Sequence, residues 1–373
     1  MTDYLGSDIP KLGFGLMRLP KIEKDIDIKQ LEQMVDLFLE KGFTYFDTAY
    51  MYQGSEEAIR KALVERHPRE SYQLASKLPA WLAPTKEEAE QMFFTSLKRC
   101  GVDYFDFFLL HNVARPRTPF FDRYDTWGFL AKRKEEGLIR HLGFSLHEKA
   151  AYLDEILSAH PEMDFVQLQI NYADWLSPGI ESLACYETAR RHNKPIIIME
   201  PVKGGNLMNL PPAAIDAFAS LDPQASLASW AIRFAASLEG IITVLSGMSN
   251  LAQMQDNISF MVDFKPLSSE ELAVIDIVRA EIAKLPSIPC TCCEYCLPAC
   301  DQKVAITGIF EAMNLHLVYH NERLSKLTYG WNTNGADSRP ASACTACGKC
   351  EAVCTQHIKI ADELKRAREV FEP

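Results

Sequence analysis

The sequence predicts an α/β fold: a (β/α)8 barrel over residues 1–285, then a small, mostly α-helical domain over residues 286–373. Three observations carry this. Strand-like and helical runs alternate eight times, and strands alternating with helices imply a parallel sheet, which at this length closes into a barrel. Isolated polar residues (Asp47, Lys77, His111) end successive apolar runs, where barrels of this kind place their chemistry. Near residue 286 the composition shifts, and nine of the 11 cysteines lie between Cys290 and Cys354.

Taken in order, Leu12 to Met17 reads as the first short strand. Its Gly13-x-Gly15 is not a dinucleotide fingerprint, because the third glycine and the following helix are missing. Ile28 to Lys41 is amphipathic, with Leu31, Val35, Phe38 and Leu39 on one face. Further strands are expected at 43–47, 72–77, 104–110, 139–144, 164–169, 195–199 and 241–245, each followed by a helical stretch. A helix starts near Ser55, with Glu56 and Glu57 in its first turn to suit the helix dipole. A long loop from Asn112 to about Thr126 carries Arg115, Arg117 and Arg123 among Phe120, Phe121 and Tyr124, with Trp127 just beyond. Such loops shape specificity in barrels. The three arginines suit an anionic substrate, and read equally as a solvated rim. A helix from Glu270 to Lys284 and a Pro286-Ser287-Ile288-Pro289 hinge close the barrel. A helical stretch at about 307–328 and a polar loop at 331–342 follow.

Asp47, Tyr52, Lys77 and His111 make chemical sense together. Reducing a ketone needs a hydride on carbon and a proton on oxygen. A free Tyr titrates near ~10, and a neighbouring Lys ammonium favours its phenolate and lowers that value. An Asp paired to the Lys holds the ammonium in place. A His beside the phenol orients the carbonyl and shares the proton. Each one alone reads as a satisfied core polar group; four at consecutive strand ends are harder to dismiss.

The motifs FDTAYMY..GSE, ASKLP, FLLHN, IRHLGFS, VQLQINY, MEPVKGG and GMSN…DNI occur in the order and spacing of the aldo/keto reductases, which residues 5 to 285 resemble. The resemblance implies a TIM barrel, an Asp47–Tyr52–Lys77–His111 catalytic tetrad, a nicotinamide cofactor and a small carbonyl or alcohol substrate. It implies that Ser145 and Gln167 hold the carboxamide. Pro201, Lys203, Gly204 and Gly205 would follow the pyrophosphate, where glycines allow close backbone approach, though the segment also reads as an ordinary barrel loop. Gly15, Gly247, Ser249, Gln253 and Asn257 complete the implied cofactor site, with Asn250 another group able to bond an adenosine ribose. Many family members clamp the NADP 2′-phosphate with a Lys and an Arg six residues later. Gly247 and Gln253 stand there and carry no charge, so NADH or another cofactor is left open.

The cysteines form two copies of one spacing: Cys290-x2-Cys293-x2-Cys296-x3-Cys300 and Cys344-x2-Cys347-x2-Cys350-x3-Cys354. Three thiolates so spaced wrap corners of a [4Fe–4S] cube, and the fourth reaches the other cube in two-cluster ferredoxins. The region resembles bacterial-type ferredoxin modules of the α-helical variety. That resemblance implies one cluster on Cys290, Cys293, Cys296 and Cys354, and another on Cys344, Cys347, Cys350 and Cys300. Asp301 and Thr355 replace the proline usual after the last cysteine, and Cys292 is an extra thiol in the first motif. Zinc, which takes four ligands often from C-x2-C pairs, fits these triplets less well. Cys100 and Cys185 sit in helical patterns and read as core residues.

Composition narrows the function classes. Hydrophobic content of 47% and charged content of 24% are ordinary for a globular enzyme. A net charge of −11 argues against nucleic acid and against an anionic membrane surface. No apolar run approaches the ~20 residues a bilayer requires. Met1-Thr2-Asp3-Tyr4 has no secretory character, so a cytoplasmic enzyme is expected. One difficulty follows: nicotinamide passes two electrons as hydride, a cluster passes one, and a flavin normally stands between them. The alternative expectation is therefore an FMN-containing enzyme whose clusters relay electrons to or from a redox partner protein.

Overall fold

Eight strands are short, apolar and buried on both faces, as parallel barrel strands must be. In chain order they are β1 (Leu12–Gly15), β4 (Tyr45–Asp47), β5 (Gln73–Leu78), β6 (Phe105–Val113), β7 (Ile139–Leu146), β8 (Phe165–Gln169), β9 (Ile196–Met199) and β10 (Ile241–Ser246). The computed structural model closes them in the order β1-β10-β9-β8-β7-β6-β5-β4, every pair parallel. It describes residues 4–290, 292–335, 338–354 and 356–373 of the 373-residue chain. The predicted (β/α)8 barrel is therefore present.

Alternation sorts the side chains. Tyr45, Ala75, Phe107, Leu109, Phe165, Ile197, Ile242 and Leu245 fill the barrel interior as one buried cluster. Phe46, Leu74 and Phe108 are equally buried, against the outer helices. Those helices begin with α1 (Ile28–Glu40), α2 (Ser55–Ile59), α3 (Lys86–Cys100), α4 (Thr118–Arg123), α5 (Thr126–Glu135), α6 (Ala150–Ala159) and α7 (Ser182–Arg191). In α1, Asp27 caps the first turn by accepting from Gln30 N (3.1 Å), and Leu31, Met34, Val35 and Phe38 are buried. Each such side chain contributes roughly 1.5–3 kcal/mol by leaving water. Gly101, at φ 71°, ends α3 in the left-handed region that favours glycine.

The chain divides into two compact units. The first comprises Met1–Leu176, Ile180–Val202 and Ala225–Leu272; the second comprises Ser177–Gly179, Lys203–Gln224 and Ala273–Pro373. The first unit holds the barrel strands and α1–α7, with α9 (Leu227–Ala236) and α10 (Leu251–Met261). The second holds α8 (Pro212–Leu221), α12 (Ile306–Tyr319), α13 (Glu322–Thr333), α14 (Lys349–Ala352) and α15 (Ile360–Phe371); α11 (Ser269–Ala283) begins in one and ends in the other. The second unit has its own core of Val304, Ile309, Phe310, Met313, Ile360 and Leu364, which includes Cys296 and Cys350.

The elements differ from expectation in four places. A two-residue hairpin, β2 (Lys21–Ile22) with β3 (Asp25–Ile26), was not anticipated; both strands are largely exposed and lack an apolar pattern. The first strand stops at Gly15, and Leu16–Arg18 forms a 3-10 turn. The segment after His111 is not one long loop: β6 runs on to Val113, paired with Leu146, and α4 follows. The helical stretch at 307–328 is two helices, interrupted at His320, which adopts φ 50°.

Candidate active site

Asp47, Lys77 and His111 fall at the C-terminal ends of the adjacent strands β4, β5 and β6. Parallel register staggers them around the barrel mouth, with Asp47 beside Ala75 and Lys77 beside Leu109. Tyr52 is brought over them by a tight turn. Tyr52 N donates to Ala49 O and Ser55 N donates to Tyr52 O, both at 2.9 Å. Ser55 pins the turn from below, pairing with Thr48 Oγ1 (2.8 Å) and donating to Leu16 O (3.0 Å).

Lys77 is fully buried. Its Nζ donates to Asp47 Oδ1 (2.5 Å) and to Thr48 O (2.8 Å), and lies 5.1 Å from the centre of the Tyr52 ring. Burial alone would strip its proton, but Asp47 and Tyr52 outweigh burial and hold the Lys77 pKa above its ordinary value. Tyr52 departs from the sequence-based expectation. Lys77 does favour its phenolate, yet burial is the larger effect and Asp47 adds to it, so the Tyr52 pKa lies above 10. The phenol therefore keeps its proton at neutral pH. His111 is buried and its pKa lies well below 6.5, first through burial and then through the positive charge of Lys77, His147 and Arg117. It is a neutral imidazole, and its Nδ1 has no hydrogen-bond partner. Its ring meets Tyr52 and Trp81 edge-on, each at 5.8 Å between centroids.

Ser145 and Gln167 lie side by side on β7 and β8. Ser145 Oγ accepts from Asn112 N (2.8 Å), and Gln167 Nε2 faces Met199 Sδ (3.5 Å). Gln167 Oε1 and Asn112 Oδ1 are buried without partners. Asn112 adopts φ 51° at the bulge in β6, directly after His111. Gly15 pairs with Asp47, and a Cβ there would meet Ser246 O at 3.4 Å. Asn257, buried, donates to Ser246 Oγ (2.7 Å). Ser249 N donates to Gln253 Oε1 (2.7 Å), Asn250 caps α10 through Gln253 N (2.9 Å), and Gly247 lies in the same loop. Pro201 belongs to the first unit. Lys203, Gly204 and Gly205 belong to the second, where the two glycines take φ 65° and 97°.

Sequence reasoning missed Trp81, four residues beyond Lys77 in a 3-10 turn, and did not single out Arg117 from its neighbours. It read Glu56 only as a first-turn acid of α2; Glu56 is buried there, accepts from Ser76 Oγ (2.8 Å) and pairs with Arg99 (3.4 Å). The signal for Trp81 was an aromatic close behind a polar strand end.

In the second unit, Cys290, Cys293, Cys296 and Cys354 line one cavity with Ile306, Phe310 and Ile358. Burial pushes the Cys296 thiol up to about 12, reinforced by Cys290, Cys293 and Cys350 nearby. Burial likewise raises Cys350, to about 11, with Cys300 and Cys344 adding to it. Cys347 is exposed, and Cys292 lies within the first motif at φ 51°. Thr355 lies outside the described residues. Cys100 and Cys185 are buried in the barrel helices. Among the described residues, no three His, Cys, Asp or Glu side chains gather closely enough to hold one metal ion, and no helix is long and apolar enough to cross a membrane.

Residues 11–280 match the model of the aldo/keto reductase family. The chain is 29% identical over 209 residues to an aldo-keto reductase of Strobilurus tenacellus, covering 53% of this chain and 60% of that one, so it spans less than two thirds of that relative. An aldo-keto reductase from Bacillus halodurans, solved in its holo form, superposes with a TM-score of 0.58 at 25% identity, over 74% of this chain and 95% of that one. One from Klebsiella pneumoniae, solved with NADPH, gives 0.59 at 23% identity, over 73% and 91%. With the barrel and the arrangement around Lys77, the match over residues 11–280 means that this chain belongs to the aldo/keto reductase family.

Proposed function

We propose that the barrel reduces a small carbonyl compound, or oxidises the corresponding alcohol, with NAD(P)H at Asp47, Tyr52, Lys77 and His111. The observation that carries this is the buried Lys77 ammonium, bonded to Asp47 and Thr48 O and lying 5.1 Å from the centre of the Tyr52 ring, which sets a protonated phenol beside a buried cation. Membership of the family, with a relative solved with NADPH, supports a nicotinamide here. The residues present fit its carboxamide: Gln167 Oε1 and Asn112 Oδ1 are buried acceptors without partners, beside Ser145. Within the barrel unit, Pro201, Asn257 and the Gly247–Gln253 loop, with Gly15, would hold the rest. When bound, the nicotinamide supplies the hydride. Neutral His111 donates a hydrogen bond that orients the carbonyl oxygen. Tyr52 delivers the proton to that oxygen. Lys77 stabilises the phenolate left behind, and Asp47 keeps Lys77 charged.

We further propose that the second unit carries one or two [4Fe–4S] clusters in a cytoplasmic protein. Four cysteines from both motifs share a cavity, and Cys350 has Cys300 and Cys344 as neighbours, in keeping with crossed ligation. Such clusters supply one-electron chemistry. No observation favours the FMN or redox-partner reading.

Tyr52→Phe tests the barrel reading. Carbonyl reduction should fall by about 10²-fold or more, the scale of a lost general acid. Circular dichroism and iron content should be unchanged. Near-wild-type turnover would sink the assignment.

A further inference from the structure

Of the three arginines after His111, two already have partners or lie outward. Arg115 sits over Tyr152 (4.4 Å) with Glu155 at 3.7 Å, and Arg123 sits over Phe120 (5.6 Å) on the exposed side of α4. Arg117 differs. It begins α4, its backbone fixed by Arg117 N donating to Ala114 O (2.8 Å). Its guanidinium is half-buried 4.9 Å above the Trp81 ring, and the Trp81 ring meets His111 at 5.8 Å and Phe121 at 6.1 Å. Among the described residues it has no ion pair and its guanidinium makes no hydrogen bond.

We propose that Arg117 anchors a carboxylate on the substrate, so that the site selects carbonyl compounds bearing an acid group. The inference rests on the reductase reading of the tetrad and names its substrate class. A half-buried guanidinium with no anion beside it carries a desolvation cost that a bound carboxylate relieves. Its planar fork of donors matches a carboxylate in two parallel hydrogen bonds, and Arg stays charged under all ordinary conditions. Burial lowers the Arg117 pKa; the nearby carboxylate of Glu148 opposes this, but lies beyond ion-pair distance and accepts from Arg115 N (3.0 Å). The charge of Arg117 reaches His111, so an anion held there lies near the group that orients the carbonyl. Trp81 supports both and offers a flat apolar wall for the carbon skeleton between them.

The test compares 4-carboxybenzaldehyde with its methyl ester, with NADH and with NADPH. The wild type should favour the acid in kcat/KM by about 10- to 100-fold, the range of a charge-assisted pair. Arg117→Met should erase at least tenfold of that ratio, Arg117→Lys should retain part of it, and Arg123→Gln should leave it unchanged. Equal handling of the two aldehydes by the wild type, or an unaltered ratio in Arg117→Met, overturns the anchor while the reductase reading stands. If neither aldehyde is reduced, the reductase reading fails. The anchor is then decided by benzoate binding, followed through tryptophan fluorescence: Arg117→Met should raise Kd about tenfold, and an equal Kd overturns it.

Discussion

At the residue scale, the site is a problem in buried charge. Lys77 and Asp47 are both out of water, and a buried ion pair is tolerated only when its remaining donors and acceptors are satisfied. Lys77 donates to Thr48 O as well as to Asp47, with the Tyr52 ring beside it. Asp47 Oδ2 has no hydrogen-bond partner, and burial accordingly raises the Asp47 pKa despite Lys77. His111 gives a pH prediction. Its folded pKa lies below the 6.5 of an exposed imidazole, so the unfolded chain binds more protons in acid. The stability it supports is complete above about 6.5 and is lost as pH falls through and below that value. Urea unfolding at pH 7.5 and 5.5 should show a smaller acid loss in His111→Gln than in the wild type. Equal losses would mean that the imidazole is not buried neutral.

At the element scale, the strands hold the site because their spacing admits no slack. Gly143 on β7 lies against β8, and a Cβ there would sit 2.4 Å from Phe165 O and 2.8 Å from the Phe165 ring. Backbone cannot yield as a flexible side chain does. Gly143→Ala should therefore cost about 1–3 kcal/mol, the range for overpacking, read as a lowered Tm. Ser145 and Gln167 lie two residues along on the same strand pair, so the KM for the nicotinamide should rise with it. An unchanged Tm would show that the strands can part at little cost.

At the scale of the whole molecule, an apolar second core takes in some of the cysteines and leaves others open. Cys296 and Cys350 belong to that core while Cys293 and Cys347 are exposed, so each motif has one buried and one open thiol. After anaerobic reconstitution, Cys296→Ser should lose about half of the iron and sulfide if, as proposed, each set of four holds one cluster. Full iron in that variant would remove Cys296 from the ligands, and a wild type that takes up no iron would end the cluster proposal. The C-terminal helices and the Lys203–Gln224 segment group together, so the chain is not partitioned by sequence order alone.

The sequence by itself determined the eight strands and the residues at their C-terminal ends, because alternation and uninterrupted apolar runs are local properties of the chain. Asp47, Lys77 and His111 were legible for that reason: each polar residue interrupted an apolar run without a local partner. Only the tertiary structure decided the protonation of Tyr52 and His111, which depends on how much water the assembled barrel excludes and on charges tens of residues away. It alone separated Arg117 from Arg115 and Arg123, since three cations in one loop look alike until Trp81, from another strand's loop, packs beneath one of them. The grouping of Cys354 with Cys290, Cys293 and Cys296 was expected from the ferredoxin resemblance and not from spacing, which describes neighbours along the chain; the cavity they line comes from packing α12 and α15 into one core.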